Sequence, residues 1–333
     1  MVLKSKKIKA LTAGIMLTLA MGLLGGCGSD KKEAGDKKVN VGIVQMVEHE
    51  ALDSANKGFV DGMAAKGYKE GQNVVYDRQN AQADQSNLQN IAHRFVSNKV
   101  DLICAIATPA AQTVANVTKD IPIVATAVTD YEAAKLVKSN EKPATNVTGT
   151  TDMNPVEAQL DLLLKLVPGA KTIGTIYCSS EVNSQLQVEL LKKAAAAKGI
   201  AVKEATVSTV NDIQQAARSL VGDVQAIYVP TDNVLASAMP TLNVVTAEAK
   251  LPVICGEGGM VKAGGLATLG IDYYKLGVQT GEMAADILSG KAKPADMAIQ
   301  AQKEFTVMIN KKEAQKIGLT IPEAVMKDAK IIE

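Results

Sequence analysis

Tryptophan is absent from this chain, and phenylalanine occurs three times, as Phe59, Phe95 and Phe305. A site that stacks sugar rings on Trp or Phe has little material here. Histidine is nearly as scarce: His49 and His93 stand far apart, with no Cys/His spacing typical of zinc. Of the four cysteines, Cys27 lies near the start; Cys104, Cys178 and Cys255 fall in or at the end of apolar, strand-like runs. Three is odd, which excludes a complete disulfide framework, and they read as small buried hydrophobes. No basic patch interleaved with aromatics stands out, and the net charge is +1, so nothing points to nucleic acid. Gly-x-Gly-x-x-Gly is missing after the first strand, where Val41-Gly42-Ile43 runs on into Gln45. Gly256-Glu257-Gly258-Gly259 has Lys262 nearby but no Gly-Lys-Ser/Thr. No Gly-x-Ser-x-Gly elbow occurs. Nucleotide enzymes and serine hydrolases are therefore unsupported, and neither a cofactor nor a metal is implied.

What is present starts at the N-terminus. Lys4, Lys6, Lys7 and Lys9 precede an apolar run from Ala10 to Leu24. A charged segment, an apolar segment and small residues before a cut are the order of a secretory signal. The run is about 15 residues, too short to span a bilayer comfortably. Leu24-Gly25-Gly26-Cys27 has the form of a lipobox, which makes 1–26 a lipoprotein signal peptide and Cys27 the lipidated, mature N-terminus. Residues 27–38 are small and charged, cannot bury a core, and read as a flexible tether.

From residue 39 onward, short β-branched runs alternate with helical patterns. Strands are expected at Val39–Met46, Asn73–Gln79, Val100–Ala107 and Ile121–Val128. Helices fit at about 50–66, 85–98 and 109–118. An extended, turn-rich crossover covers Glu141 to Thr150. The pattern then restarts, with strands at Thr172–Cys178, Ala201–Val207, Ala226–Val229 and Pro252–Cys255 and helices at about 182–198, 212–221 and 233–249. Strand–helix alternation at this spacing gives parallel sheets with helices on both faces, wound by right-handed crossovers. The expected fold is α/β, with two doubly wound parallel-sheet lobes. Lobe 1 spans 39–150, completed by about 265–300; lobe 2 spans 151–264, completed by about 301–333. A ninth strand at Leu266–Ile271, a helix at 273–289, a last strand at Glu304–Ile309 and a helix at 311–317 supply two or three hinge crossings.

Ligands of open parallel sheets bind beyond the carboxyl ends of the strands. The polar residues there that we take as a binding set are Glu48, Asp53, Thr108, Asp130, Ser180, Asn183, Thr231, Asp232, Asn233, Glu257 and Asp272, with Ala110 supplying a backbone amide. Each Ser, Thr, Asp or Asn has a competing role as a helix N-cap. Thr108-Pro109-Ala110 puts proline near a helix start and leaves bare amides suited to a carboxylate or phosphate. Glu257, set among glycines, does not look like a helix start.

Several stretches, in this order behind a lipobox, resemble one family. They are Val44-Gln45-Met46-Val47-Glu48-His49-Glu50-Ala51-Leu52-Asp53, Gln79-Asn80-Ala81-Gln82-Ala83-Asp84, Ala107-Thr108-Pro109-Ala110, Ala127-Val128-Thr129-Asp130, Asn146-Val147-Thr148-Gly149-Thr150, Tyr177-Cys178-Ser179-Ser180-Glu181-Val182-Asn183 and Pro230-Thr231-Asp232-Asn233. The chain resembles ABC-transporter substrate-binding lipoproteins of the type I periplasmic-binding fold, in the tryptophan/tyrosine-type branch. It departs from the family pattern at Glu50 and Ala83, where that pattern has Pro and Gly. The resemblance implies no enzyme. It implies an extracytoplasmic, lipid-anchored monomer that captures an amino acid, most often aromatic, and hands it to a permease driven by an ATPase. A zwitterion needs donors beside an acid. Thr108, Ser180 and Asn183 are the candidate donors; Asp232, Glu257, Asp130 and Asp272 are the candidate acids, with Asp232 leading. A sensing lipoprotein, a receptor for a nucleoside or other small solute, and an extracytoplasmic α/β enzyme remain the alternatives.

Overall fold

The computed structural model describes residues 38–333. The signal-peptide and lipidation readings, and the tether apart from Lys38, lie outside the described residues.

The first sheet is built from β1 (Val39–Gln45), β2 (Val74–Asn80), β3 (Leu102–Ile106), β4 (Ile123–Val128) and β5 (Val147–Thr151), linked by α1 (Glu50–Ala65), α2 (Gln85–Ser97) and α3 (Thr108–Val117). Every residue of β3 and β4 is buried, as expected of central strands covered on both faces. Helix α2 shows the usual local logic. Asp84 caps it by accepting from the Asn87 amide at 2.8 Å, and Leu88, Ile91, Ala92 and Phe95 form its buried face.

The second round follows: α4 (Val156–Leu166), β6 (Thr172–Cys178), α5 (Val182–Ala197), β7 (Ala201–Val207), α6 (Ile213–Arg218), β8 (Ile227–Val229), α7 (Asn233–Ser237), α8 (Met239–Glu248), β9 (Val253–Cys255), α9 (Gly258–Lys262) and β10 (Ala267–Gly270). Helix α10 (Tyr273–Leu288) and β11 (Gln300–Ala301) return to the first sheet. Then β12 (Thr306–Asn310), α11 (Lys311–Ile317), α12 (Glu323–Met326) and β13 (Lys330–Ile332) complete the second. The sheet orders are β11-β5-β4-β3-β1-β2 and β13-β12-β10-β9-β8-β6-β7. All pairings are parallel except β10 with β12. The fold is thus the two-lobed α/β architecture expected, with parallel-dominated sheets. Phe59, Phe95 and Tyr131 sit in the core of the first lobe; Leu160, Tyr228 and Leu235 sit in cores of the second.

Three details differ from expectation. Ala267–Gly270 belongs to the second sheet, so the chain returns to lobe 1 after Gly270 rather than at 265. The single helix expected at 233–249 is two helices, because Ala238 leaves helical geometry (φ −128°) where Pro240 enters the first turn of α8. The crossover before residue 150 ends in a true strand, β5, and α4 follows it behind Pro155.

Helix α10 locks onto α1 through facing glycines. A Cβ on Gly58 or Gly62 would overlap the carbonyl oxygen of Tyr274 or Val278. One on Gly277 or Gly281 would overlap that of Ala55 or Phe59. The two backbones therefore touch directly, and α10 is held to the first lobe.

Candidate functional site

In each sheet the strand order reverses at one place: between β1 and β3 in the first, between β6 and β8 in the second. Loops diverge there and leave a crevice at the strand ends. His49 follows β1 and Thr108 opens α3 after β3. Glu181 follows β6, and Thr231, Asp232 and Asn233 follow β8. The two crevices face each other. His49 Nε2 lies 3.4 Å from Asn233 Oδ1, and Thr129 Oγ1 lies 3.3 Å from Thr231 Oγ1. Lys262 of α9 pairs with Glu50 of α1 across the same gap. Between them is a cavity of about 10 Å³ lined by His49, Leu52, Ala127, Asp152, Asn183 and Asp232, among others. That is room for about one water, so the lobes are closed on each other.

Four acids are buried around this junction: Asp152, Glu181, Asp232 and Glu257, each at most 3% exposed. None is in a salt bridge among the described residues. Their hydrogen bonding differs. Asp232 accepts from the Leu235 amide (2.9 Å) with one oxygen, and from the Cys178 amide and Ser184 hydroxyl (both 2.7 Å) with the other. Glu181 accepts from the amides of Asn233 and Val234 and from the side chains of Asn183 and Asn233. Glu257 caps α9 through the amides of Gly259 and Met260. Asp152 has only two hydroxyl donors, Thr129 at 3.0 Å and Tyr273 at 2.7 Å.

Burial raises the pKa of all four. Glu257 is pushed up to about 7, against the pull of its two amides. Glu181 and Asp232 go up through burial, and Glu181 further through the neighbouring Asp232 charge. Asp152 goes up through burial, opposed by its hydroxyl donors. Burial lowers His49 to about 4, so it stays neutral near pH 7.

Buried polar atoms without partners mark where the junction is incomplete. They include His49 Nδ1, Thr108 Oγ1, Asn154 Oδ1, Asn183 Oδ1 and Gln187 Nε2. Thr108 is 2% exposed and opens α3 behind Ala107, which has φ +86°. Pro109 brings no N–H, and the amides of Thr108 and Ala110 stand in the first turn, where no intrahelical acceptor exists.

The sequence-chosen residues divide accordingly. Asn183, Thr231, Asp232, Asn233 and Glu257 line the cavity, and Thr108 and Ala110 are buried at the start of α3. Five do not join them. Glu48 is exposed. Asp53 is exposed and accepts from Gln45 Nε2. Asp130 accepts from the Ala133 amide, an ordinary turn cap. Ser180 is exposed, beside Cys178 Sγ. Asp272 is exposed and caps α10 through the Lys275 amide. Asp232 is in the cavity wall, but its carboxylate is consumed by its own lobe, which removes it from the lead as ammonium partner. Glu257 does start a helix, contrary to expectation. The residues overlooked are Asp152, Asn154, Glu181 and Gln187. Asp152 and Asn154 follow β5, and reading that strand as a connector hid its carboxyl end; two polar residues just ahead of Pro155 were the available signal.

Two doubly wound lobes, joined by three passages of chain and meeting strand end to strand end over a buried polar cleft, define a two-lobed solute receptor of the periplasmic-binding type. The chain belongs to the ABC transporter substrate-binding protein family, whose model matches residues 40–332. It is 46% identical to a tyrosine-binding protein of Clostridioides difficile, over 92% of this chain and 91% of that one. A Streptococcus pneumonia structure in complex with L-Trp superposes with a TM-score of 0.86 at 42% identity, over 89% of this chain and all of that one. A ligand-free, open substrate-binding protein from Clostridium difficile, 45% identical over 89% of this chain and 99% of that one, superposes less well, at 0.68. Lower overlap at similar identity is what a different angle between lobes produces, and it agrees with the closed cleft. The family consists of solute receptors, so the chain is not an enzyme, and it works outside the cytoplasm. Among the described residues, no helix is long and apolar enough to cross a membrane.

Proposed function

We propose that this chain is the lipid-anchored receptor of an ABC importer and captures an aromatic amino acid, tyrosine or tryptophan, by closing its two lobes. The observation that carries this reading is Asp152: a buried carboxylate with two hydroxyl donors and no cation, at a junction where donors stand without acceptors. That is the complement of a zwitterion. Asp152, helped by the bare Oδ1 atoms of Asn154 and Asn183, receives the ammonium. Thr108 Oγ1 and the first-turn amides of α3 receive the carboxylate. Leu52, Ala127, Ala236 and Met260 offer an apolar wall for the side chain. The tyrosine-binding relative and the L-Trp complex support the ligand class.

Binding favours closure because the ligand touches both lobes. Calorimetry with L-Tyr and L-Trp, paired with small-angle scattering, tests this. Binding with compaction is expected; no heat from either amino acid sinks the ligand assignment, and an unchanged scattering profile sinks the closure. For the anchor, Cys27→Ala should leave a soluble or unprocessed protein. Normal membrane fractionation of that variant would refute lipidation at Cys27.

A further inference from the structure

Asn233 fixes the state of His49. Its side-chain Nδ2 is committed to Glu181 Oε2 at 2.6 Å, so the atom it turns toward His49 is the carbonyl oxygen Oδ1. An oxygen acceptor there requires the proton on Nε2. The neutral ring then carries its lone pair on Nδ1, which is buried and has no partner. A bare acceptor in the cleft wall is costly unless something donates to it. His49 lines the cavity together with Leu52, Ala236 and Met260.

Position decides what the donor is. The first sheet runs β5-β4-β3-β1, so Asp152, Thr108 and His49 lie at the ends of β5, β3 and β1. Asp152 and His49 both line the closed cavity, from strands on either side of β3 and β4. With the ammonium at Asp152 and the carboxylate at Thr108, the far end of the ligand falls at His49.

We infer that His49 Nδ1 is the specificity acceptor of the cleft, taking a hydrogen bond from a ring O–H or N–H and so selecting tyrosine and tryptophan against phenylalanine. This rests on the amino-acid reading above and adds the discriminating residue. A site built around such a bond penalises a ligand that lacks the donor, because the acceptor stays buried and unpaired.

Calorimetry of the purified full chain with L-Trp, L-Tyr and L-Phe tests it, alongside His49→Phe, which keeps a flat ring without a lone pair, and His49→Gln, whose Oε1 can still accept. Wild type should bind Trp and Tyr at least about tenfold more tightly than Phe. His49→Phe should bring the three within about twofold by weakening Trp and Tyr, and His49→Gln should restore part of the gap. If His49→Phe does not fold, as judged by circular dichroism, His49→Ala takes its place. Phe bound as tightly as Tyr and Trp by wild type overturns the inference while leaving the amino-acid site standing. So does a uniform loss for all three in His49→Phe, which would put the ammonium at Nδ1. Failure of all three to bind wild type would take down the amino-acid reading and this inference with it.

Discussion

Asp232→Asn separates a structural carboxylate from a ligand-binding one. In the folded chain, one Asp232 oxygen caps α7 through Leu235, and the other joins the end of β6 to α5 through the Cys178 amide and the Ser184 hydroxyl. Asparagine keeps one oxygen and caps a helix well. Its amide nitrogen then faces the Cys178 N–H, donor against donor. That buried amide loses its acceptor, at a cost of about 1–3 kcal/mol. Ser184 can rotate its hydroxyl to accept instead, so its share is small. Removing one charge also relieves the neighbouring Glu181, which returns part of the loss. The net expectation is about 1–2 kcal/mol of destabilisation, or a fall in melting temperature of roughly 2–8 °C. Urea titration followed by circular dichroism should show a lower midpoint with an unchanged slope. Calorimetry should show amino-acid affinity altered far less than in Asp152→Asn. An unmoved midpoint with a tenfold loss of affinity would refute this account and return Asp232 to the ammonium.

Asp152→Asn should weaken binding of L-Tyr or L-Trp by roughly tenfold or more, since charged hydrogen bonds are worth about 1.5–3 kcal/mol; equal affinity by calorimetry would remove Asp152 from the site. Glu257 has its pKa raised by burial from 4.5 to about 7, so the folded chain holds a proton that the unfolded chain releases. Its contribution is intact below about pH 4.5 and is lost as pH rises through about 7. Urea midpoints should fall across that window in wild type and fall less steeply in Glu257→Gln; parallel profiles would exclude the residue. Gly149→Ala should cost more than about 3 kcal/mol, because a Cβ at φ +149° would run into the Ala125 carbonyl and lie 2.5 Å from Tyr131 Oη. Wild-type-like melting of that variant would contradict the tight fit of β5 against β4.

Much of the fold was legible because the buried strands are continuous β-branched runs. Thr172–Cys178 is one of these and falls where the sequence puts it, as does the largely exposed edge strand Ala201–Val207. Short-range pattern failed where tertiary contacts decide. β5 reads as a turn-rich connector until β4 and β11 pair with it. β11 is two residues long and has no period of its own. The candidate cleft was legible as a set of strand ends: Asn183, Thr231 and Asn233 line it, and Thr108 is buried at the start of α3. Which acid is free was not, because capping depends on neighbours remote in sequence: Cys178 and Ser184 lie 54 and 48 residues from the Asp232 they satisfy. Sequence spacing cannot distinguish a saturated carboxylate from an open one.

The glycine-lined contact between α1 and α10 also imposes an order of assembly. A chain emerging N-terminus first exposes Gly58 and Gly62 long before Gly277 and Gly281 exist to meet them. Asp61 and Tyr274, bonded across this contact, are 213 residues apart. The strands β1 to β5 and β6 to β10 are each contiguous, but α10 and β11 of the first lobe and β12 and β13 of the second come last, so neither lobe is complete before the C-terminal segment arrives. Non-local closure of this kind is slow. Both lobes are finished by C-terminal elements, so a nascent chain released short of α10 would carry most of the cleft but lack Tyr273, the helix that packs on α1 and the strands that complete the second sheet.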